Sequence, residues 1–269
     1  MIETLAPIFF AVLVWWASTG LLIWLVGKGG AVRKVAGFGL TGLAIIATFA
    51  VLALRDDQTL FGVYAGFAVG LVLWAWHEAM LLFGFVAGPR RTDCPPDLKG
   101  WDRFKISAQT LIHHEVLIAL HGALIIGLSL GGTNQVAAAT YALLWGMRIS
   151  AKLLIFFGAP NASDEFLPGH LKYLSTYFNT RQRTRYFPIF LTLTSAVAMV
   201  LIYNGLSQQA GLIEATAYLL LGTLALLAVF EHIALILPLP DQRLWSWAVR
   251  KNATVETKQQ NEDLKYGRT

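Results

Sequence analysis

The sequence is poor in charged residues and nearly free of cysteine. Of its 269 residues, 14% are charged and Cys94 is the single cysteine. Soluble domains carry about 25% charged residues, so this composition argues against a soluble globular protein. One cysteine excludes an internal disulfide and gives no sign of an oxidising compartment. No basic residue precedes the first apolar run, so we expect that run to be a retained helix and not a cleaved signal peptide.

Motifs for metal and nucleic-acid binding are also missing. The histidines and glutamates show no His-x-x-x-His, Glu-x-x-His or His-Glu-x-x-His spacing. The net charge is +5, but no basic patch with interleaved aromatic residues stands outside the loops. Basic loops are normal in membrane proteins, so we do not expect nucleic acid as a partner.

Long apolar runs dominate what is present. Hydrophobic residues make up 56% of the chain, and runs of about 18 or more can cross a bilayer core of roughly 30 Å. The runs are continuous rather than alternating, which favours helices over the strands of a barrel. The sequence therefore predicts an all-α, polytopic membrane bundle of seven transmembrane helices in contact with lipid. The predicted spans are 5–26, 36–54, 60–87, 107–130, 134–157, 186–205 and 212–237.

The distribution of basic residues predicts the orientation of the bundle. Loops 27–35, 88–106 and 158–185 and the C-terminal tail hold most of the Lys and Arg residues, whereas the opposite side has Arg55 alone. The positive-inside rule then places the N-terminus outside and the C-terminus in the cytoplasm. An odd number of spans agrees with this.

Two further segments stand out. We expect a transmembrane domain at 1–245, followed by a polar, disordered cytoplasmic tail at 246–269. Residues 169–179 place Leu171, Leu174 and Phe178 on one face, which indicates a short helix in the cytoplasmic interface. The alternative is an ordinary packed loop helix.

Ionisable residues within the spans are the candidate functional residues, because such groups are costly in lipid and are usually functional or paired. At about 1.5 Å per residue, most of them fall in the cytoplasmic half of the bilayer, with His77 and Arg148 roughly 15 Å deep. Among them, His121 alone passes the midplane. The candidate set is His77, Glu78, His113, His114, Glu115, His121, Arg148, Lys152, Glu231 and His232.

The residues leave several interpretations open. Imidazole can ligate the central metal of a tetrapyrrole, with His77 or His114 as axial ligand and Arg148 or Lys152 as counter-charge. Imidazole and carboxylate together suit a transition metal, with candidate ligands His77, His114, Glu231 and His232. Alternatively, the glutamates neutralise the basic residues and hold the helices in register without chemistry. A proton path through the histidines is compatible with any of these.

Several blocks of sequence carry a family resemblance. They are Val14–Gly20, Arg55–Asp57, Trp74–Glu78, Gly88–Pro95, Gly131–Gln135, Arg148–Lys152, Glu165–Leu171 and the pair Glu231 and His232 with Leu237–Asp241. In this order, and together covering residues 10–241, they resemble the PuhE family, the photosynthetic complex assembly proteins of purple phototrophic bacteria.

The resemblance implies a chaperone-like role in assembling the reaction centre with its core antenna, or in modulating the supply of bacteriochlorophyll. It implies the bacterial inner (intracytoplasmic) membrane, with photosynthetic complex subunits or pigment-biosynthesis enzymes as partners. Bacteriochlorophyll or a precursor is the ligand it suggests. It brings no catalytic residues. A metal-dependent membrane enzyme acting on a tetrapyrrole or isoprenoid substrate, and a pigment carrier or transporter, remain the alternatives.

Overall fold

The described part of the computed structural model, residues 2–165, 167–238 and 244–248, is helical and contains no strand. Eight α-helices and one 3₁₀ helix follow one another there. In chain order they are α1 (Ile2–Val26), α2 (Gly30–Leu54), α3 (Leu60–Leu82), α4 (Gly100–Gln109), α5 (Ile112–Ser129), α6 (Val136–Gly158), the 3₁₀ helix (Gly169–Tyr177), α7 (Phe187–Leu206) and α8 (Leu212–Ala234).

Seven of the eight α-helices, all except α4, are long and apolar enough to cross a membrane. The chain is therefore a multi-pass membrane protein, and the predicted all-α bundle of seven spans is confirmed. The direction in which it is inserted stays a prediction.

Three span boundaries differ from the predicted ones by five residues or more. The second span begins at Gly30, six residues before the predicted start at 36. The third span ends at Leu82, because the chain turns at Gly84, whose φ of 83° is the left-handed conformation that favours glycine. The fourth begins at Ile112, because α4 forms a separate helix that stops at Gln109. His77 therefore lies five residues, or about 7–8 Å, from the end of its helix, roughly half the predicted depth.

Helix α3 is the centre of the bundle and packs against α1, α2, α5, α6 and α8. Glycines let α6 approach it closely: a Cβ added to Gly70 would lie 2.7 Å from the Thr140 Cβ and 2.8 Å from the Ala137 carbonyl oxygen. Small residues serve this purpose in many membrane helix pairs. The central position of α3 puts its polar residues, His77 and Glu78, inside the protein.

Loops cover one end of the bundle. Arg103 of α4 donates to the carbonyl oxygens of Phe156 and Tyr177 at 3.3 and 2.7 Å, and Arg90 donates to the Tyr177 hydroxyl at 2.6 Å. Leu171, Leu174 and Tyr177 are buried at every third position, as the 3₁₀ repeat requires. The helix near 169–179 thus forms with Tyr177 in the place we expected for Phe178. Its position in the membrane interface stays a prediction.

At the other end, Asn134 ties the α5–α6 loop to the start of α3. Its side-chain amide donates to the carbonyl oxygens of Asp57 and Gly62, both at 3.0 Å. The Asp57 carboxylate accepts hydrogen bonds from the backbone and hydroxyl of Thr59, which lower the pKa of Asp57. Two blocks of the family resemblance, Arg55–Asp57 and Gly131–Gln135, therefore meet in space.

Residues 244–248 fold back against α1. The Trp16 indole donates to the Leu244 carbonyl at 3.1 Å, and the Trp245 indole donates to the Trp16 carbonyl at 3.2 Å. Three residues of the predicted tail, 246–248, belong to this segment, and the rest of the tail lies outside the described residues.

Candidate functional site

Ion pairs join α6 to three neighbouring helices. Arg148 lies 3.2 Å from Glu78 of α3 and 3.5 Å from Glu231 of α8, and Lys152 lies 2.5 Å from Glu115 of α5. Arg148 and Lys152 are four residues apart and therefore share one face of α6. These pairs form a charged layer near the loop-covered end of the bundle, which we call the ion-pair layer.

A chain of hydrogen-bonded rings, which we call the imidazole chain, lies deeper in the bundle. His77 Nε2 is 2.9 Å from His121 Nδ1 and 2.8 Å from the Tyr141 hydroxyl, which also bonds the Ile118 carbonyl at 2.9 Å. The Trp76 ring packs edge-on against both imidazoles, with centroids 4.6 Å from His77 and 5.5 Å from His121. The histidines of α3 and α5 are therefore held directly against each other.

The protonation pattern of the imidazole chain can be assigned from one end, the Thr48 hydroxyl. The Thr48 hydroxyl lies 2.8 Å from the Ala44 carbonyl, which can only accept, so we assign Thr48 as donor there. Thr48 then accepts from His121 Nε2 at 3.1 Å, and His121 Nδ1 accepts from His77 Nε2. His77 Nδ1 is left with a lone pair. This atom is buried and has no hydrogen-bond partner among the described residues.

His114 is a second buried imidazole beside this chain. Its side chain is completely buried, its ring centroid is 6.4 Å from that of His77, and neither ring nitrogen has a partner in the described part of the chain. Its neighbour His113 is exposed, because consecutive residues of a helix point about 100° apart. Of the adjacent predicted pair, His114 alone therefore joins the site.

The predicted metal ligands are not brought together. No three His, Cys, Asp or Glu side chains within residues 2–165, 167–238 and 244–248 are placed to hold a metal ion. His232 Nδ1 donates to the Ala228 carbonyl at 2.7 Å, and His232 Nε2 contacts the Ser150 hydroxyl. Glu231 pairs with Arg148. Both groups thus already have protein partners.

A tetrapyrrole fits the chemistry of His77 and His114 but not their surroundings. Each imidazole has a lone pair suited to an axial bond with a central metal. Both side chains are 0% exposed, however, and the rings of Trp76, His121 and Tyr141 pack around His77. The folded cluster leaves no open face for a macrocycle beside these nitrogens.

The candidate set omitted Tyr141, Thr48 and Ser150, which all contact its histidines. A signal for Tyr141 existed: it precedes Arg148 by seven residues, or about two turns, and so faces the same way. Thr48 and Ser150 gave no comparable signal, because a hydroxyl in a membrane helix can bond its own backbone.

Residues 1–256 match the model of a family described as a protein of unknown function, DUF3623. The chain belongs to the DUF3623 family. A relative from Rhodobacter capsulatus, described as an uncharacterized 30.4 kDa protein in the puhA 5′ region, is 37% identical over 245 residues. The alignment covers 88% of this chain and 87% of the relative. No solved structure matches the chain.

Proposed function

We propose that this protein is a non-enzymatic assembly factor of the PuhE type for the reaction centre and core antenna of purple phototrophic bacteria. The observation that carries the proposal is the relative named for the 5′ region of puhA, which is similar over most of both chains. The blocks that resemble the photosynthetic assembly family point the same way.

The interior of the bundle supports a structural role for its polar residues. Ion pairs connect α6 with α3, α5 and α8, and the imidazole chain adds α2 through Thr48. In lipid, paired polar groups between helices hold them in register. A metal-dependent mechanism would need a ligand set that the described residues do not assemble.

The proposed location is the bacterial inner (intracytoplasmic) membrane, with the loops of the basic side in the cytoplasm. Partners would be subunits of the photosynthetic complexes or enzymes that supply their pigment. The loop-covered end contains α4 and the 3₁₀ helix, and both lie outside the seven spans.

Deletion of the gene in a phototrophic host tests this function. We expect a fall in the near-infrared absorption of assembled reaction centre and core antenna, with no new pigment species in solvent extracts. Complementation with the wild-type chain and with His113→Ala should restore absorption. His113 is exposed and belongs neither to the ion-pair layer nor to the imidazole chain.

Two results would contradict the proposal. Accumulation of one specific bacteriochlorophyll precursor in the deletion strain would indicate an enzyme. Pigment that co-purifies in stoichiometric amount with the wild-type chain would indicate a carrier.

A further inference from the structure

His77 and His114 present buried ring nitrogens that no described residue bonds. These atoms are His77 Nδ1 and both ring nitrogens of His114, and each side chain is 0% exposed. Buried polar atoms are nearly always hydrogen-bonded, to protein or to ordered water. Two such groups side by side, at the centre of the bundle, therefore point to a bound molecule.

The separation of the two rings limits the size of that molecule. Their centroids are 6.4 Å apart and no direct hydrogen bond joins them. Two hydrogen bonds in sequence, each of about 2.9 Å, span up to about 5.8 Å between the end atoms. Ring nitrogens lie at the ring edges, so two nitrogens on the near edges of the rings are closer to each other than the two centroids are. One molecule with a single non-hydrogen atom suits this distance.

The hydrogen-bonding character of the nitrogens identifies the molecule. His77 Nδ1 accepts, because its partner nitrogen Nε2 donates to His121. The bound molecule must therefore donate, and neutral His114 offers it one donor and one acceptor. A buried Glu78 carboxylate oxygen, Oε1, is likewise without a partner among the described residues. Water both donates and accepts, and internal waters typically make two to four such bonds.

We propose that one ordered water molecule binds between His77 and His114 and donates a hydrogen bond to His77 Nδ1. His114 and His121 are seven residues apart on α5, about two turns, and so share a face. His77 of α3 is then held between both: it bonds His121 directly through Nε2 and His114 through the water at Nδ1. The water continues the polar chain from Thr48 towards the ion-pair layer.

Water-edited ¹⁵N solid-state NMR of the ¹⁵N-histidine-labelled full chain in lipid bilayers tests this proposal. Polarisation should pass from water protons to the assigned His77 Nδ1, whose shift should be that of a hydrogen-bonded acceptor. The wild-type measurement needs no substitution and so does not depend on whether a variant folds.

Matched variants then locate the water. His114→Phe should remove most of the transfer to His77 Nδ1, because it deletes one of the hydrogen-bonding partners of the water. His113→Phe changes the exposed neighbour and should leave the transfer unchanged. Absence of transfer in the wild type, unaltered transfer in His114→Phe, or a stoichiometric metal in elemental analysis would each overturn the proposal.

Discussion

Arg148 of α6 is hydrogen-bonded to Glu78 of α3, with 3.2 Å between Nη2 and Oε2. The Glu78 side chain is 11% exposed, whereas Arg148 is 36% exposed and also reaches Glu231. Glu78 is thus a buried carboxylate whose main compensating charge is a single guanidinium. Removing one member of such a pair is costly, because the other charge stays buried without a partner.

Arg148→Gln should lower the free energy of unfolding by about 3–5 kcal/mol. Glu231→Gln should cost less than about 1 kcal/mol, because the Glu231 side chain is half-exposed and its pair with Arg148 is long. Unfolding of the purified protein in mixed detergent micelles measures both. The double variant Arg148→Gln with Glu78→Gln should recover part of the loss; equal effects of the two single variants would contradict this account.

Tyr141→Phe removes the one hydroxyl that bonds both His77 and the Ile118 carbonyl. We expect a loss of about 1–1.5 kcal/mol in the free energy of unfolding, the net value of a buried hydrogen bond. Tyr203→Phe is the matched control, because Tyr203 is 76% exposed, and should change stability by no more than about 0.5 kcal/mol. A larger effect at Tyr203 than at Tyr141 would be the adverse result in the same unfolding assay.

Gly20→Ala should loosen residues 244–248 from α1, because a Cβ at Gly20 would collide with the Trp247 ring. The reporter is Ala248→Cys in a Cys94→Ser background, since Ala248 is 0% exposed. A small maleimide should modify this cysteine several-fold faster when Gly20→Ala is added. Gly42→Ala, which meets no atom within 4 Å, should leave the rate unchanged. Equal rates in the two backgrounds would show that Gly20 does not seat this segment.

The seven spans could be predicted because length and apolarity alone decide which helices cross a bilayer. The pairing of Arg148 and Lys152 with glutamates was one of the open alternatives, and the structure shows those pairs. The rotation of each helix is a different matter. It depends on packing between helices, so the sequence could not tell that His114 faces inward and His113 outward.

The predicted distance from His77 to the end of its span was wrong for a local reason. An apolar run continues past Leu82 through Phe83, Phe85 and Val86, and hydropathy cannot show that the helix has already ended at the Gly84 turn. The Thr48 hydroxyl could not be predicted as part of the site, because Thr48 stands in an apolar run and its partner, His121, lies on another helix.

Protonation of His170 should weaken the packing of the 3₁₀ helix on the turn after α3. Partial burial lowers the pKa of His170, and the charges of Arg33 and Arg91 lower it further, whereas a hydrogen bond with the Leu82 backbone raises it. Since the folded protein favours the neutral imidazole, stability is full above the unfolded pKa of about 6.5 and falls as pH drops below it. The effect should be small because His170 is exposed. Melting temperature measured from pH 7.5 to 5 should fall less in His170→Asn, and parallel curves would contradict the assignment.

The orientation predicted from basic residues can be tested with two cysteines on opposite sides of the bundle. Thr133 and Asp97 are both exposed, Thr133 in the loop between α5 and α6 and Asp97 in the basic loop after α3. In a Cys94→Ser background, a membrane-impermeant thiol reagent should modify Thr133→Cys in cells whose inner membrane is intact. Asp97→Cys should react only after that membrane is permeabilised, because the positive-inside rule retains Lys- and Arg-rich loops in the cytoplasm. The reverse pattern would place the ion-pair layer and the covering loops on the outer side of the membrane, and would contradict the orientation in the proposed function.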